Sequence, residues 1–423
     1  MRASTRPALI AAANRHMKIL YVHERLGALG GAETNAVITA TELGKRGHTI
    51  GLLHGPSTGK GEAGWHSAFP HRFALDSRAS ARPTTNAIAE FDPDVVYVHK
   101  MADLKVLETL VNSGLPLVRM VHDHDIYCMR SYKYGVFSRK ICDKAFGPHC
   151  IIPCGAVITR DRVGRFPIKL VSYFDKAREI ELCKRFDRML VVTNFMRGEL
   201  LKNGFNAEKI EIYPPVPRMG DTSIRGSFSD RNLIIYAGQI IRGKGVDVLL
   251  RALAEVKTKF ECIILGDGNH KAECERLAAQ LKLTDRVQFK GFVPQDELKS
   301  YYRDCSLIAI SSVWPEPIAT IGIEVMRYAL PVVAFDAGGI KDWLQDGHNG
   351  FLVPWMDHKT YAQRIDTLLN DKELARQMGE RGLALANREY DFDSYIVNLE
   401  GMFQGVIREK TVRRPAPLAP ALV

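Results

Sequence analysis

Residues Asn232 to Leu253 read "NLIIYAGQIIRGKGVDVLLRAL". The run "LIIYA" suits a buried strand, "GQIIRGKG" a glycine-rich turn, and the apolar spacing of "VDVLLRAL" a helix. A strand that feeds a helix through such a turn is the repeating unit of a parallel α/β sheet. The unit recurs upstream, where "KILYV" (Lys18 to Val22) passes through "ERLGALGGAE" to a helix over roughly Thr34 to Lys45 and then to "HTIGLLHG". "DVVYVHK", "PLVRMVHD" and "RMLVVTN" read as further strands of this first series. "ECIILGDG", "RVQFKGF", "SLIAISS", "LPVVAFDAGG" and "GFLVP" continue the second. The expected fold is α/β, with two doubly wound domains in tandem.

At 423 residues the chain exceeds the size at which one hydrophobic core keeps growing, which agrees with two domains. An N-terminal extension is expected over 1–16, an amino-terminal domain over 17–212 and a Pro/Gly/Ser-rich linker over 213–230. A carboxyl-terminal domain follows over 231–390, then a helix over 391–409 that can cross back to the first domain, and a disordered Pro/Ala tail over 410–423. The extension lacks a convincing cleavage site and no run reaches the ~18 apolar residues of a membrane span, so a cytoplasmic setting is expected. Eight scattered cysteines fit that reducing compartment.

The net charge of +10 is uneven: Val121 to Arg188 holds 14 Lys+Arg against 8 Asp+Glu. No nucleic-acid module accompanies it, which leaves phosphorylated ligands and lipid headgroups as partners. Gly238, Gly243 and Gly245 with Arg242 and Lys244 form either an anion site at a helix start or a plain glycine turn with solvated cations. Gly30 and Gly31 make a second such turn on the other domain, and Gly266 and Gly268 in "LGDGNH" a third.

"WPEPIATIGIEVM" sets Glu316 and Glu324 eight positions apart among apolar residues. Eight helical residues rise ~12 Å, too far for a shared proton or metal but suited to two hydroxyl-bearing ends of one extended ligand. The alternative is a helix-terminus charge and a solvated face.

This block, with "GGAE", "MVHDHD", "VVTNFMRGEL", "IYPPV" and "YAGQIIRGKGVDVLL", resembles the retaining, GT-B-fold glycosyltransferases of family 4. The resemblance implies two Rossmann-like domains facing each other across a cleft, with transfer of a hexosyl unit from a UDP- or GDP-sugar. The acceptor it implies is a saccharide or a polyprenyl-diphosphate-linked saccharide, in cell-surface polysaccharide assembly. Glu324 would hold the ribose, Glu316 the hexose and Lys244 the diphosphate, while His122 would face the transferred sugar. The catalytic set is then His122, Glu316, Lys244 and Arg242. The donor set is Gly30, Gly31, Gly238, Gln239, Arg242, Lys244, Gly266, Gly268, Phe292, Val293, Glu316, Ile318, Ala319, Thr320 and Glu324. Two positions depart from the pattern: Gln239 stands where the family usually has Arg, with Arg242 as substitute, and Ala319 where it often has Gly. Catalysis would need no cofactor, since cations stabilise the leaving diphosphate.

Rival readings are a nucleotide-sugar epimerase of similar fold and a non-catalytic sugar-nucleotide-binding protein. Cys128, Cys142, Cys150 and Cys154 cluster in an insert of about 128–154, as a structural zinc site or as free thiols. The basic and aromatic stretch that follows, 158–188, suits an anionic membrane surface on the inner face of the cell membrane, a lipid-diphosphate acceptor or a solvated amphipathic helix.

Overall fold

The computed structural model describes residues 16–27, 30–76, 80–135, 138–160, 168–218 and 225–413. Most of the expected N-terminal extension, part of the linker and the end of the tail lie outside them. In the first domain β1 (Lys18–His23), α1 (Gly31–Lys45), β2 (Thr49–His54), α2 (Glu62–Ala68) and β3 (His71–Ala74) form one wing. The other wing is α3 (Ala81–Phe91), β4 (Val95–Lys100), α4 (Leu104–Asn112) and β5 (Leu117–Val121). A hairpin of β6 (Ile158–Arg160) and β7 (Ile168–Leu170) precedes α5 (Tyr173–Lys184), β8 (Arg188–Val191), α6 (Asn194–Lys202) and β9 (Ile210–Ile212). The seven-stranded sheet runs β3-β2-β1-β4-β5-β8-β9, with every pair parallel.

The second domain opens with β10 (Leu233–Ala237), α7 (Val246–Glu255), β11 (Glu261–Leu265), α8 (Lys271–Gln280) and β12 (Val287–Gly291). It continues with α9 (Gln295–Arg303), β13 (Cys305–Ile310), α10 (Thr320–Met326), β14 (Val332–Phe335) and β15 (Gly350–Val353). Its six parallel strands run β12-β11-β10-β13-β14-β15. The central strands are buried almost throughout, as β4 and β13 show, because helices cover both faces. Strand order reverses between β1 and β4 and between β10 and β13, and at such reversals the outward-diverging connections leave a crevice at the carboxyl edge.

Three helices close the chain: α11 (His358–Asn370), α12 (Lys372–Glu389) and α13 (Phe392–Arg413). The last lies on the amino-terminal domain. Asn35 donates to the Tyr395 hydroxyl at 2.9 Å, and Phe403 packs edge-on to Tyr97 at 5.0 Å. The Met17 amide donates to His48 Nδ1, so the proton sits on His48 Nε2, which donates to the buried Glu400 at 2.9 Å.

Two expectations need correction. The tail expected from 410 begins as helix, because Lys410 pairs with Asp187 at 3.0 Å and holds the last turn down. The stretch 158–188, for which one amphipathic helix is among the readings, is not a single helix. Its first part is the β6–β7 hairpin, and the helix starts at Tyr173, where the Ser172 hydroxyl caps it by accepting from the Asp175 amide.

Candidate active site

Glu316 sits where the chain leaves β13 and has not yet entered α10. Its backbone forms a one-residue bridge to Gly338: its amide donates to the Ala337 carbonyl at 3.1 Å and its carbonyl accepts from Gly339 at 2.7 Å. Gly338 has φ +74°, and a Cβ there would meet the Glu316 carbonyl at 2.5 Å, so glycine is required for the approach. The Glu316 carboxylate is buried, and one oxygen accepts from Lys244 Nζ at 2.7 Å, from Trp314 Nε1 at 2.7 Å and from the Ser312 hydroxyl. Burial would raise its pKa, but the Lys244 ammonium and these hydrogen bonds outweigh burial and hold the carboxyl below the usual range. Glu316 is therefore ionised at neutral pH.

Lys244 belongs to a 3-10 turn, Arg242–Lys244, between β10 and α7. The Gly243 carbonyl accepts from the Val313 and Trp314 amides at 2.9 and 3.0 Å, which stitches the turn to the Glu316 loop. Lys244 Nζ also lies 5.3 Å from the centre of the Trp314 ring.

Beside this cluster a cleft of about 1240 Å³ opens between the domains. From the carboxyl-terminal domain it is walled by Gly238, Gln239, Gly266, Gly268, Phe292, Val293, Thr320 and Glu324, and from the amino-terminal domain by Gly30 and Gly31. Gly266 has φ +144° and a Cβ would meet the Gly238 carbonyl at 1.8 Å, so these two turns are packed backbone on backbone. Burial pushes the Glu324 carboxyl up to about 7, while the Tyr302 hydroxyl, donating from 3.4 Å, opposes the rise. Ala319, at the start of α10, adopts φ +57°, a left-handed conformation that favours glycine.

Across from Glu316 the amino-terminal domain presents the end of β5. His122 Nε2 lies 2.9 Å from His99 Nδ1 with the rings stacked 5.1 Å apart. Burial, reinforced by His23 and Lys100 and opposed by Asp125, pushes the His122 pKa down to about 3. It is a neutral imidazole at physiological pH, suited to hydrogen bonding and not to acid catalysis. Burial and the neighbouring Asp125 raise the pKa of Asp123, against the pull of Lys100 at 3.4 Å. His124 Nε2 meets the Pro315 carbonyl at 2.8 Å, and the Thr193 hydroxyl donates to the Pro317 carbonyl at 2.8 Å. The two domains thus touch directly on both sides of Glu316.

The cleft wall includes ten of the expected donor residues. Glu316 and Lys244 are joined to each other just beyond it, with Ile318 and Ala319 buried in the adjoining loop. Cys128, Cys142, Cys150 and Cys154 carry free thiols, and among the described residues no three His, Cys, Asp or Glu are grouped so as to hold a metal ion. Nothing in this geometry adds to the zinc expectation.

Two family models match in series: Glycosyltransferase Family 4 over residues 29–216 and Glycosyl transferases group 1 over 221–384. The chain belongs to the group 1 glycosyltransferases of family 4. It is similar to an alpha-D-kanosaminyltransferase from Streptomyces kanamyceticus, 28% identical over 45% of this chain and 50% of that protein. It is also similar to a putative colanic acid biosynthesis glycosyltransferase of Escherichia coli, 30% identical over 52% of this chain and 56% of that one. The chain spans about half the length of the curated relatives it matches. Among solved structures, the Anabaena protein HepE in complex with UDP aligns over 92% of this chain and all of its own, with a TM-score of 0.70 at 19% identity. That likeness shows the GT-B fold.

Sequence reading missed several residues that build this family 4 site. Trp314 and Ser312 flank Glu316 and grip it, and their adjacency in "SSVWPE" was a usable signal. His99, His124 and Thr193 act across separations of 23, 191 and 124 residues, which no local pattern discloses.

Proposed function

We propose that this chain transfers a hexosyl unit from a nucleotide diphosphate sugar to a saccharide or lipid-linked saccharide, with retention of configuration. The observation that carries the reading is the buried, ionised Glu316 locked to Lys244 beside a large interdomain cleft lined by Glu324. A cleft lined by Glu324, with a cation–carboxylate pair at its edge, suits a ligand with hydroxyls at both ends and anionic charge between.

Glu324 accepts hydrogen bonds from the ribose hydroxyls and Glu316 from the hexose. The diphosphate lies at the Arg242–Lys244 turn and the start of α7, where cations and free amides stabilise charge as the glycosidic bond breaks. Lys244 keeps two donors beyond its bond to Glu316. His122, held neutral, hydrogen-bonds the sugar. With the departing diphosphate assisting deprotonation of the acceptor, the reaction needs no metal. UDP is the first donor base to test, since the similar HepE structure contains it.

The setting we favour is cell-surface polysaccharide assembly, at the inner face of a membrane. No helix of the described residues is long and apolar enough to cross one. Ile151, Ile152, Ile158, Leu170 and Phe174 are exposed within one 24-residue stretch of the basic region, a surface suited to peripheral contact. Pelleting with anionic vesicles at low salt tests that placement.

A thermal-shift screen against UDP, GDP, ADP and their sugars tests the donor reading, because a specific ligand stabilises by RT ln(1 + [L]/Kd). One nucleoside diphosphate should raise the melting temperature in a saturating manner, and its sugar should be consumed when acceptor saccharides are supplied. No stabilisation by any of them would overturn the reading.

A further inference from the structure

The cysteine-rich insert is the largest sequence feature that the donor reading leaves without a task. Between Lys133 and Cys142 the chain doubles back: Tyr134 bridges Ile141 in antiparallel fashion, the Gly135 amide donates to the Lys140 carbonyl at 2.9 Å, and the Cys142 amide to the Lys133 carbonyl at 2.7 Å. This loop is anchored to its own domain by Lys133, which is buried and pairs with Glu199 of α6 at 2.8 Å.

Through Arg139 the loop reaches the other domain. Arg139, at φ +59° and almost wholly buried, makes a bidentate pair with Asp247 at 2.7 and 3.0 Å and also donates to the Arg242 carbonyl. Arg242 opens the 3-10 turn that carries Lys244, and Asp247 lies in the first turn of α7. One guanidinium from the amino-terminal domain thus grips both ends of the turn assigned to the diphosphate. A second contact runs beside it, where the Tyr132 ring lies 5.4 Å from Trp314, the residue that hydrogen-bonds Glu316.

We propose that Arg139 is a positioning residue for donor binding, and that the insert is a strap by which the amino-terminal domain sets the diphosphate turn. The inference rests on the donor reading above. A planar fork that meets a carboxylate and a carbonyl at once fixes orientation in a way that a lone ammonium does not. With Arg139 in place, the turn is held from below by Val313 and Trp314 and from above by the insert. The turn is then ordered before the ligand arrives, and the ordering cost is removed from binding. The strap also links the seating of the two domains to donor affinity, since it belongs to one domain and grips the other.

The test compares native protein, Arg139→Gln, the charge swap Arg139→Asp/Asp247→Arg, and Lys244→Ala. Hydrogen exchange of the 241–248 amides is read without ligand, and affinity is read by calorimetry with UDP, GDP and ADP. Arg139→Gln should speed exchange of that turn and weaken the bound diphosphate about tenfold, and the swap, which restores the ion pair but not the hydrogen bond to the Arg242 carbonyl, should recover part of both losses. A merely structural role would lower the melting temperature without rescue by the swap. Unchanged exchange and affinity in Arg139→Gln, with binding lost in Lys244→Ala, would overturn the strap and leave the donor reading standing. Native affinity in both single variants would remove the donor reading itself.

Discussion

At the Glu324 end of the cleft the two domains face each other across open space, between glycine turns, the first turns of α1 and α10 and the 215–218 segment that joins the domains. At the Glu316 end the domains touch. The Pro315 and Pro317 carbonyls on either side of that glutamate meet His124 and Thr193 of the other domain, and Arg139 spans to Asp247. The contrast fits a donor that enters by its nucleotide, where the cleft is wide, and presents its sugar where polar groups from both domains are already organised. It also separates two kinds of charge: the Glu324 carboxyl, with its pKa raised to about 7 by burial, and Glu316, held ionised by Lys244.

The largest effect should come from the bridged end. Removing Lys133 by Lys133→Met leaves Glu199 with Lys202 as its remaining ion-pair partner, and the insert without its buried anchor. A loss of about 3 kcal/mol in denaturant unfolding is expected, and a change under about 0.5 kcal/mol would show that the insert stands without that pair. Next, Glu316→Gln keeps the shape of the side chain but removes the charge opposite Lys244, and transfer should fall by well over tenfold while the melting temperature stays near native. Transfer within twofold of native would break the assignment of the hexose grip.

The open end should show a smaller effect with a distinct pH signature. Ribose hydroxyls donate to the ionised form of Glu324, so binding opposes its protonation. Affinity for the nucleoside diphosphate should be full above pH 8 and decline as pH falls through about 7, since ligand must then displace a proton. Glu324→Gln should lie about tenfold weaker than native at pH 8 and lose that decline. A variant that keeps the native pH profile would remove Glu324 from the ribose.

The legibility of the molecule divides along the same line. The fold followed from strand, glycine turn and helix succeeding one another locally, and the glycine turns were visible because Gly266 and Gly268 answer to nearby backbone. The insert was visible as an oddity, since four cysteines and a basic excess stood out, but its task was not. Arg139 gave no local sign that it would meet Asp247, 108 residues on. Contacts between domains are set by how two finished surfaces meet, and that information is spread along the chain. The tail was misjudged for a similar reason: the composition after 410 is that of a loose end, yet an ion pair to Asp187 carries the helix on to Arg413.

The smallest effect concerns Ala319. A left-handed alanine costs about 1 kcal/mol relative to glycine, so Ala319→Gly should raise the denaturant midpoint by about that amount of stability. If the glycine variant is less stable than native, the buried methyl supports the Glu316 loop more than the strain disturbs it.

The claim that two carboxylates grip the two ends of one donor is tested most directly by calorimetry with a nucleoside diphosphate and its glucose conjugate, taken as uridine, guanosine and adenosine pairs. For the pair that binds, Glu324→Gln should weaken both ligands alike, whereas Glu316→Gln should weaken the conjugate several times more than the bare diphosphate. Equal weakening of both ligands by Glu316→Gln, or a loss confined to the conjugate in Glu324→Gln, would contradict the account.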